Sequence, residues 1–318
     1  GPRRSARIHC SGSPAPSGGA AAGSDAEAPP TVIVGAGVVG CSVAYFLAKR
    51  GHRTLVVEQC GVACAASGKA GGFLARNWAQ GSPLDELART SFDLHAQLAQ
   101  ELAAHADVGY RRANTYSVEC SEEARRRKQS SKKSSGGRDA ALDWFDGLEA
   151  SVDSLGTEET TAQVHPRLLT QALLNEAVRT GCCELRIACV SGIQIDNGKV
   201  VGVGLEGSEE RVAATRVVVA MGPWTHTACD WLPIPRVVGR KAQSAVFSAE
   251  LPATPCFVYY TDSSGKTHDP EIYPRPDGTV YVCDSCSQVP VPNDPNDIRP
   301  TDAESDELVA RARQMPSR

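Results

Sequence analysis

The first clear pattern of apolar and polar positions is an apolar strand, a glycine turn, a helix-like stretch and a second apolar strand, between Thr31 and Glu58. This order predicts the βαβ unit of a dinucleotide-binding domain. Gly35 permits the tight turn, Gly37 lets the backbone approach a pyrophosphate, and Gly40 allows the helix to pack closely on the strand. The phosphates are therefore expected at the N-terminus of the helix.

An acid ends the second strand of this unit. Glu58 lies 18 positions after Gly40, where a carboxylate can accept hydrogen bonds from both ribose hydroxyls and would repel a 2′-phosphate. No arginine that could bind such a phosphate follows at Gln59 or Cys60. The pattern favours FAD or NAD over NADP, and a structural turn without phosphate is the alternative.

Two helices are predicted further along the chain. Ser82 is expected to cap the first, with Pro83 in its first turn. Its apolar stripe is expected to consist of Leu84, Leu87, Leu94, Leu98 and Leu102. Pro166 is expected to begin the second helix, which Gly181 stops.

The strand pattern separates two kinds of sheet. The Asn197-Gly198 pair predicts a hairpin turn. Residues 216–220 are apolar on both faces, as in a buried parallel strand, and lead into a glycine turn at Ala220-Met221-Gly222, at the sheet edge where α/β folds bind ligands. The strands at 237–247, 256–261 and 271–284 are short and interrupted, which predicts a mostly antiparallel second domain.

Composition excludes several classes of function. The chain has 318 residues, of which 41% are hydrophobic and 22% charged, with a net charge of −4. This balance disfavours nucleic acid or an anionic membrane as a partner, and no apolar run approaches the roughly 20 residues of a membrane span. We expect a soluble intracellular protein, in the cytoplasm or in an organelle such as a plastid or mitochondrion.

The twelve cysteines are scattered, which suits free thiols in a reducing compartment. Cys283 and Cys286 have the spacing of a redox pair or half a zinc site, but no second pair accompanies them. We interpret them as two thiols on a strand end and expect no metal site.

Two polar segments are expected outside the packed core. Residues 1–30 predict a disordered tail, whose arginines resemble the remnant of a transit peptide; a tail without an address is the alternative. The basic tract 125–138 predicts a solvated surface insertion within 121–140, with a nuclear signal or an anion-binding patch as alternatives.

Several motifs occur together: GAGVVG with Glu58, the loop 66–72, His165-Pro166-Arg167 before a helix, VVVAMGPW, and the segment 272–278. In these segments the chain resembles the D-amino-acid-oxidase superfamily of FAD-dependent oxidoreductases, which includes glycine, sarcosine and dimethylglycine oxidases. CAASGKAGGFLARNW is most similar to a poorly characterised eukaryotic branch. The resemblance implies an α/β fold with a Rossmann-like FAD-binding domain and a second, mainly antiparallel β substrate domain.

The resemblance also implies a role for each matching residue. The residues expected around the pyrophosphate are Gly35, Ala36, Gly37, Val39 and Gly40. The residues expected at the adenosine ribose are Glu58 and Gln59. The loop expected along the cofactor consists of Ser67, Gly68, Lys69, Ala70, Gly71 and Gly72. The positions expected beside the adenine and the nucleotide are Val190, Ala220, Met221 and Gly222.

Arg76 and Arg275 match segments that approach the flavin face or the substrate chamber in the family. A surface salt bridge is the alternative for each of them.

The expected domains are discontinuous. Residues 31–82 and 160–230 are assigned to the FAD domain, 83–159 and 231–290 to the substrate domain, and 291–318 to a C-terminal helical segment. The family continues into a last strand and helix that cover the isoalloxazine edge. Because the chain stops at Arg318, we expect either a fragment or an incomplete flavin site that binds FAD weakly.

The expected function is oxidation of a small amine or amino acid by hydride transfer to flavin N5, with FAD as cofactor. A small molecule is the expected partner. One alternative is an NAD-dependent dehydrogenase, although no catalytic His, Tyr or Lys motif for it is visible. The other alternative is a Rossmann-fold binding or trafficking protein without turnover.

Overall fold

The computed structural model describes residues 28–120, 149–252, 254–261 and 265–314. The predicted disordered tail, up to residue 27, and the predicted basic insertion at 121–140 lie outside these residues.

The described residues form short helices and many strands. The α-helices are α1 (Val38–Ala48), α2 (Ala66–Lys69), α3 (Asp85–Leu102), α4 (Pro166–Arg179) and α5 (Asp302–Gln314). The strands are β1 (Thr31–Val34), β2 (Thr54–Glu58), β3 (Phe73–Ala75), β4 (Arg111–Arg112), β5 (Thr115–Cys120), β6 (Glu149–Gly156), β7 (Thr161–Gln163), β8 (Cys183–Ile187), β9 (Val190–Asp196), β10 (Lys199–Leu205), β11 (Arg211–Ala213), β12 (Arg216–Val219), β13 (Lys241–Ser248), β14 (Cys256–Thr261), β15 (Thr267–His268), β16 (Glu271–Pro274) and β17 (Thr279–Ser287). The 3-10 helices are Gly222–Asp230 and Pro295–Asp297.

The chain divides into two compact units that alternate along the sequence. Within the described residues, the first unit runs to Gly68 and adds Thr170–Gly239 and Val291–Asp297. The second unit consists of Lys69–Leu169, Arg240–Pro290 and the residues from Ile298 onward.

The first unit contains a four-stranded parallel sheet in the order β12-β1-β2-β8. β1 is central, and Val32 and Ile33 are fully buried. An antiparallel sheet of order β11-β10-β9 contributes Val203 and Leu205 to the same apolar core as Val32 and Val57. The predicted βαβ unit is confirmed, because β1 and β2 pair in parallel on either side of α1.

One strand of this sheet differs from its prediction. β12 is parallel to β1, as expected, but it lies at the edge of the sheet, and Val217 to Val219 are only half-buried. An edge strand has a neighbour on one side only, which explains its partial exposure.

The hairpin and the second predicted helix are confirmed. Asn197 and Gly198 join β9 to β10 with φ values of 48° and 75°, as a type I′ turn requires. Helix α4 begins at Pro166 and buries Leu169, Leu173 and Ala177.

The first predicted helix starts later than expected. Helix α3 begins at Asp85 without a side-chain cap, because the hydroxyl of Ser82 accepts the amide of Leu84 in a preceding turn. Leu84 and Leu87 are 61% and 63% exposed, so the predicted stripe is wrong in its first turn. The buried face of α3 is formed by Phe92, Leu98 and Leu102.

The second unit is built on a mainly antiparallel sheet of order β13-β17-β16-β14-β5-β6, with β15 paired to β14. β5 and β14 pair in parallel, which is the exception. A smaller antiparallel sheet has the order β3-β7-β4. Cys283 and Cys286 both lie within β17, and no group of potential metal ligands is found in the described part of the chain.

Helix α5 is fixed to the large sheet by charged contacts. Lys241 Nζ lies 2.9 Å from the Glu304 carboxylate, which also accepts the amide of Thr301. The amide of Thr301 and the ammonium of Lys241 together lower the pKa of Glu304 to about 2. Near the end of α5, Arg311 forms an ion pair with buried Asp284. None of the helices in the described ranges combines the length and apolarity needed to cross a bilayer.

Two glycines of the second unit have similar backbone angles but differ in the space around them. Gly72 has a φ of +89°, and a methyl group there would collide with the carbonyl oxygen of Val164. Gly81 has a φ of +81° but open space around it. We predict that Gly81→Ala costs about 1–2 kcal/mol, from backbone strain alone. Gly72→Ala is expected to cost about 2–5 kcal/mol, because overpacking adds to the strain.

Urea denaturation of both variants measures the difference in stability, which reports the cost of overpacking because both variants carry the backbone strain. An equal loss of stability in the two variants would show that the contact between Gly72 and Val164 is not close.

Candidate functional site

A cavity of about 330 Å³ lies in the first unit, where β1, β2 and β12 end. Eleven of the residues predicted to bind the cofactor line it: Gly35, Ala36, Gly37, Val39, Glu58, Gln59, Ser67, Val190, Ala220, Met221 and Gly222. The parallel strands bring these segments together because their carboxyl ends share one edge of the sheet.

The two glycine turns touch each other through their backbones. Gly35 has a φ of +106°, and a side chain there would collide with the carbonyl oxygen of Ala220. Gly40 does not line the cavity; a side chain on it would strike the carbonyl oxygen of Gly35. Both positions therefore require glycine for packing.

The N-terminus of α1 opens into the cavity. Gly37 is the N-cap residue and provides no side-chain cap, while the amide of Val38 donates to Ser67 Oγ at 2.9 Å. Val39 is 61% exposed and lines the cavity. The first backbone amides of a helix have no partner within the helix, so such a helix start is suited to an anionic phosphate.

Glu58 joins the first turn to the end of β2. Its Oε2 accepts the amide of Ala36 at 2.7 Å, and its Oε1 accepts the amide of Cys60 at 2.9 Å. An ionised carboxylate has about four acceptor positions, so both oxygens can also accept ribose hydroxyls. The sequence predicted the ribose contact but not the two amide contacts.

Thiols on the cavity wall are neutral. Burial raises the pKa of Cys64 and of Cys189 to about 12 in each case, with smaller contributions from neighbouring groups that include Glu58. Both residues line the cavity. Because a protonated thiol is a poor nucleophile, neither group is suited to covalent catalysis.

These features fit the ADP half of a dinucleotide. The glycine turn and the helix start suit the pyrophosphate, Glu58 suits the ribose, and the apolar wall at Val190 suits the adenine. The same residues would hold that part of FAD.

The residues of the predicted cofactor loop that follow Ser67 do not line the cavity. Gly68 packs against the carbonyl of Ala63. Lys69 Nζ donates to the carbonyl of Ile298 at 3.4 Å, within the second unit. A side chain on Gly71 would lie 2.5 Å from the ring of Tyr273. Gly71 and Gly72 therefore have packing roles in the second unit, and Gly68 has one in the first.

The two predicted substrate arginines have different surroundings. Arg76 donates two hydrogen bonds of 3.1 Å to the carboxylate of Asp93, so its charge is already paired. Arg275 is half-buried, donates from Nη2 to the carbonyl of Ala70 at 3.2 Å, and lies 5.2 Å from the ring centre of Tyr281. No carboxylate in the described part of the chain forms an ion pair with Arg275.

Sequence reasoning missed several residues. Arg111 is half-buried and donates to Gln163 Oε1 and to the carbonyl of Pro274. Trp224 and Pro295 line the cavity. The Trp that follows the second glycine turn and the proline-rich run at 288–297 were the available signals.

Several known proteins are similar to this chain. The family model DAO, described as FAD dependent oxidoreductase, matches residues 31–316. A Schizosaccharomyces pombe protein named "Putative oxidoreductase" is 29% identical over 296 residues, which cover 84% of this chain and 73% of that protein. The glycine oxidase of Geobacillus kaustophilus is 29% identical over 206 residues, which cover 60% of this chain and 54% of that protein.

The crystal structure of glycine oxidase from Bacillus cereus has the same fold. It matches with a TM-score of 0.71 at 24% identity, over 91% of this chain and 80% of that one. The similarity confirms the predicted fold class.

Replacement of one cavity glycine tests the site. We predict that Gly37→Val abolishes FAD binding and leaves the fold intact, because the new side chain would occupy the space of the pyrophosphate. Flavin fluorescence titration measures binding, and circular dichroism checks the fold.

The control is Ser67→Ala, because a Cβ on Gly37 would lie 3.1 Å from Ser67 Oγ. This variant should weaken FAD binding by at most about tenfold, the effect of one lost hydrogen bond. Stoichiometric flavin in purified Gly37→Val would show that the turn is misplaced.

Proposed function

Since the chain belongs to the family of FAD-dependent oxidoreductases, we propose that it oxidises a small amine or amino acid. Family membership confirms the predicted cofactor, FAD, and favours it over the NAD-dependent dehydrogenase alternative. Bound FAD supplies the hydride acceptor, N5 of its isoalloxazine ring. The substrate loses hydride from the carbon beside its amine nitrogen, and the resulting imine is hydrolysed by water.

The names of the relatives support the substrate class. Two of the similar proteins are glycine oxidases, which act on a small amino acid by name. Such a substrate carries a carboxylate, and a guanidinium that binds both of its oxygens is the usual protein partner.

Arg275 carries this proposal. Its Nε is buried and has no hydrogen-bond partner within the described residues. Burial is also the main cause that lowers its pKa. A desolvated guanidinium with a free donor is costly unless an anion binds to it, so a substrate carboxylate would satisfy it.

The neighbours of Arg275 leave it available. Asp277 is the nearby acid, but its Oδ1 accepts the amide of Thr279 at 3.0 Å and the hydroxyl of Thr279 at 2.6 Å. His165 lies 4.0 Å from the other oxygen of Asp277. Burial, and then the charge of Arg275, lower the pKa of His165, so this imidazole is neutral at pH 7.

Other groups hold Arg275 in place. The guanidinium lies over the ring of Tyr281, and Nη2 donates to the carbonyl of Ala70. Arg111 donates to the carbonyl of Pro274, the residue before Arg275. A fixed guanidinium loses little side-chain entropy when it binds a carboxylate, and it would orient the substrate's C–H bond.

The test is anaerobic reduction of bound flavin by a panel of amines. We predict bleaching by free or N-methylated amino acids. Arg275→Ala should lower the rate constant at subsaturating substrate by roughly 10- to 150-fold, because a charged hydrogen bond is lost. Amines that lack a carboxylate should react with the wild-type protein and with Arg275→Ala at similar rates.

Arg76→Ala is the matched control, since it removes a guanidinium that Asp93 already pairs, and it should change the rate little. Arg275→Lys keeps the charge but loses the planar group that can donate to both carboxylate oxygens, and it should retain part of the rate. If no panel member bleaches the flavin, the non-catalytic alternative is favoured. Bleaching unaffected by Arg275→Ala would remove Arg275 from the substrate site.

A further inference from the structure

The first unit includes a short segment that is distant in sequence from the rest of that unit. Val291–Asp297 lies between the last strand of the second unit and helix α5, yet its contacts place it with the nucleotide cavity. Pro295 is buried and lines that cavity. We call Val291–Asp297 the strap.

Side chains from two walls of the cavity hold the strap. Trp224 Nε1 donates to the carbonyl of Pro292 at 2.7 Å. Gln59 Nε2 donates to the carbonyl of Asn293 at 3.1 Å. Both donors belong to residues that line the cavity, and both acceptors are backbone groups of the strap.

The two attachments lie on opposite sides of the central strand. Gln59 follows the end of β2, and Trp224 lies in the 3-10 helix after β12. β1 runs between β2 and β12 in the sheet. The strap therefore contacts residues that follow the two strands beside β1.

The strap is ordered by its own contacts. Asp294 Oδ1 accepts the amide of Asn296 at 2.9 Å, which forms a local turn. Cys60 Sγ contacts Asn296 Oδ1 at 3.2 Å. Val291, the first residue of the strap, packs closely on Gly239. A Cβ added to Gly239 would lie 2.5 Å from Val291 Cγ2. A preformed segment can close a cavity with little cost in conformational entropy.

We propose that the strap retains the ADP half of FAD, so that Trp224 and Gln59 act as positioning residues that set the rate of cofactor release. The proposal rests on the use of FAD by this chain. Pro295 of the strap lines the same cavity as the residues that suit the pyrophosphate and ribose, so the strap would lie against this half of the cofactor. Release of the nucleotide then requires rupture of at least one of the two hydrogen bonds.

The experiment measures FAD release from the loaded chain by the recovery of flavin fluorescence after dilution. Trp224→Phe removes the indole donor and keeps an aromatic ring. We expect release to be roughly 5- to 10-fold faster, the factor for one hydrogen bond. Binding of ADP, measured by calorimetry, should weaken by a similar factor. The control is Trp78→Phe, which changes an indole of the second unit that does not line the cavity and should leave both values unchanged.

Gln59→Ala, alone and combined with Trp224→Phe, separates a strap from direct contacts with the nucleotide. If both residues act only by holding the strap, loss of one hydrogen bond already frees it. The fold-increase in the FAD release rate of the double variant should then be smaller than the product of the two single fold-increases. The proposal would be overturned if the double variant showed the full product of the two fold-increases. It would also be overturned if both single variants released FAD at the wild-type rate. Failure of the wild-type chain to bind FAD would contradict the use of FAD itself.

Discussion

The carboxylate of Glu58 is the contact on which the nucleotide cavity depends. It accepts one amide from the first glycine turn and one from the chain beyond β2, so it fixes the spacing of two neighbouring strand ends. Gly35 then meets Ala220 backbone to backbone, which sets the distance to the third strand end. Cys60, whose amide Glu58 accepts, contacts Asn296 in the strap. The Glu58 side chain thus connects the first glycine turn to the chain after β2 and, through Cys60, to the strap.

The segment from α2 to β3 contains residues with two different roles. Ser67 lines the nucleotide cavity, whereas Gly71 and Gly72 accommodate Tyr273 and the carbonyl of Val164 in the second unit. The chain passes from one unit to the other at Gly68. A sequence motif that spans such a crossing combines cavity-lining residues with packing constraints, and its sequence does not show which residue has which role.

Local signals predicted the elements whose cause is local. The βαβ unit, the Asn197-Gly198 hairpin and helix α4 each depend on residues within a few positions, and all three agree with the structure. The edge position of β12 and the exposure of Leu87 depend on which elements lie beside them, so periodicity could not reveal them. The ion pair of Arg76 with Asp93 and the unsatisfied Nε of Arg275 likewise depend on tertiary contacts. The strap was hidden because its partners lie far away in sequence.

The pairing of β5 with β14 has a consequence for the order of folding. Tyr116 aligns with Cys256, about 140 residues later, and the strands β8 to β12 of the first unit are synthesised between them. During translation the parallel sheet of the first unit can therefore close while β5, which can already pair with β6, still lacks β14. The strap emerges later still, after β17. A nascent chain consequently contains the strand ends and glycine turns that line the cavity before it contains Pro295, which lines the same cavity.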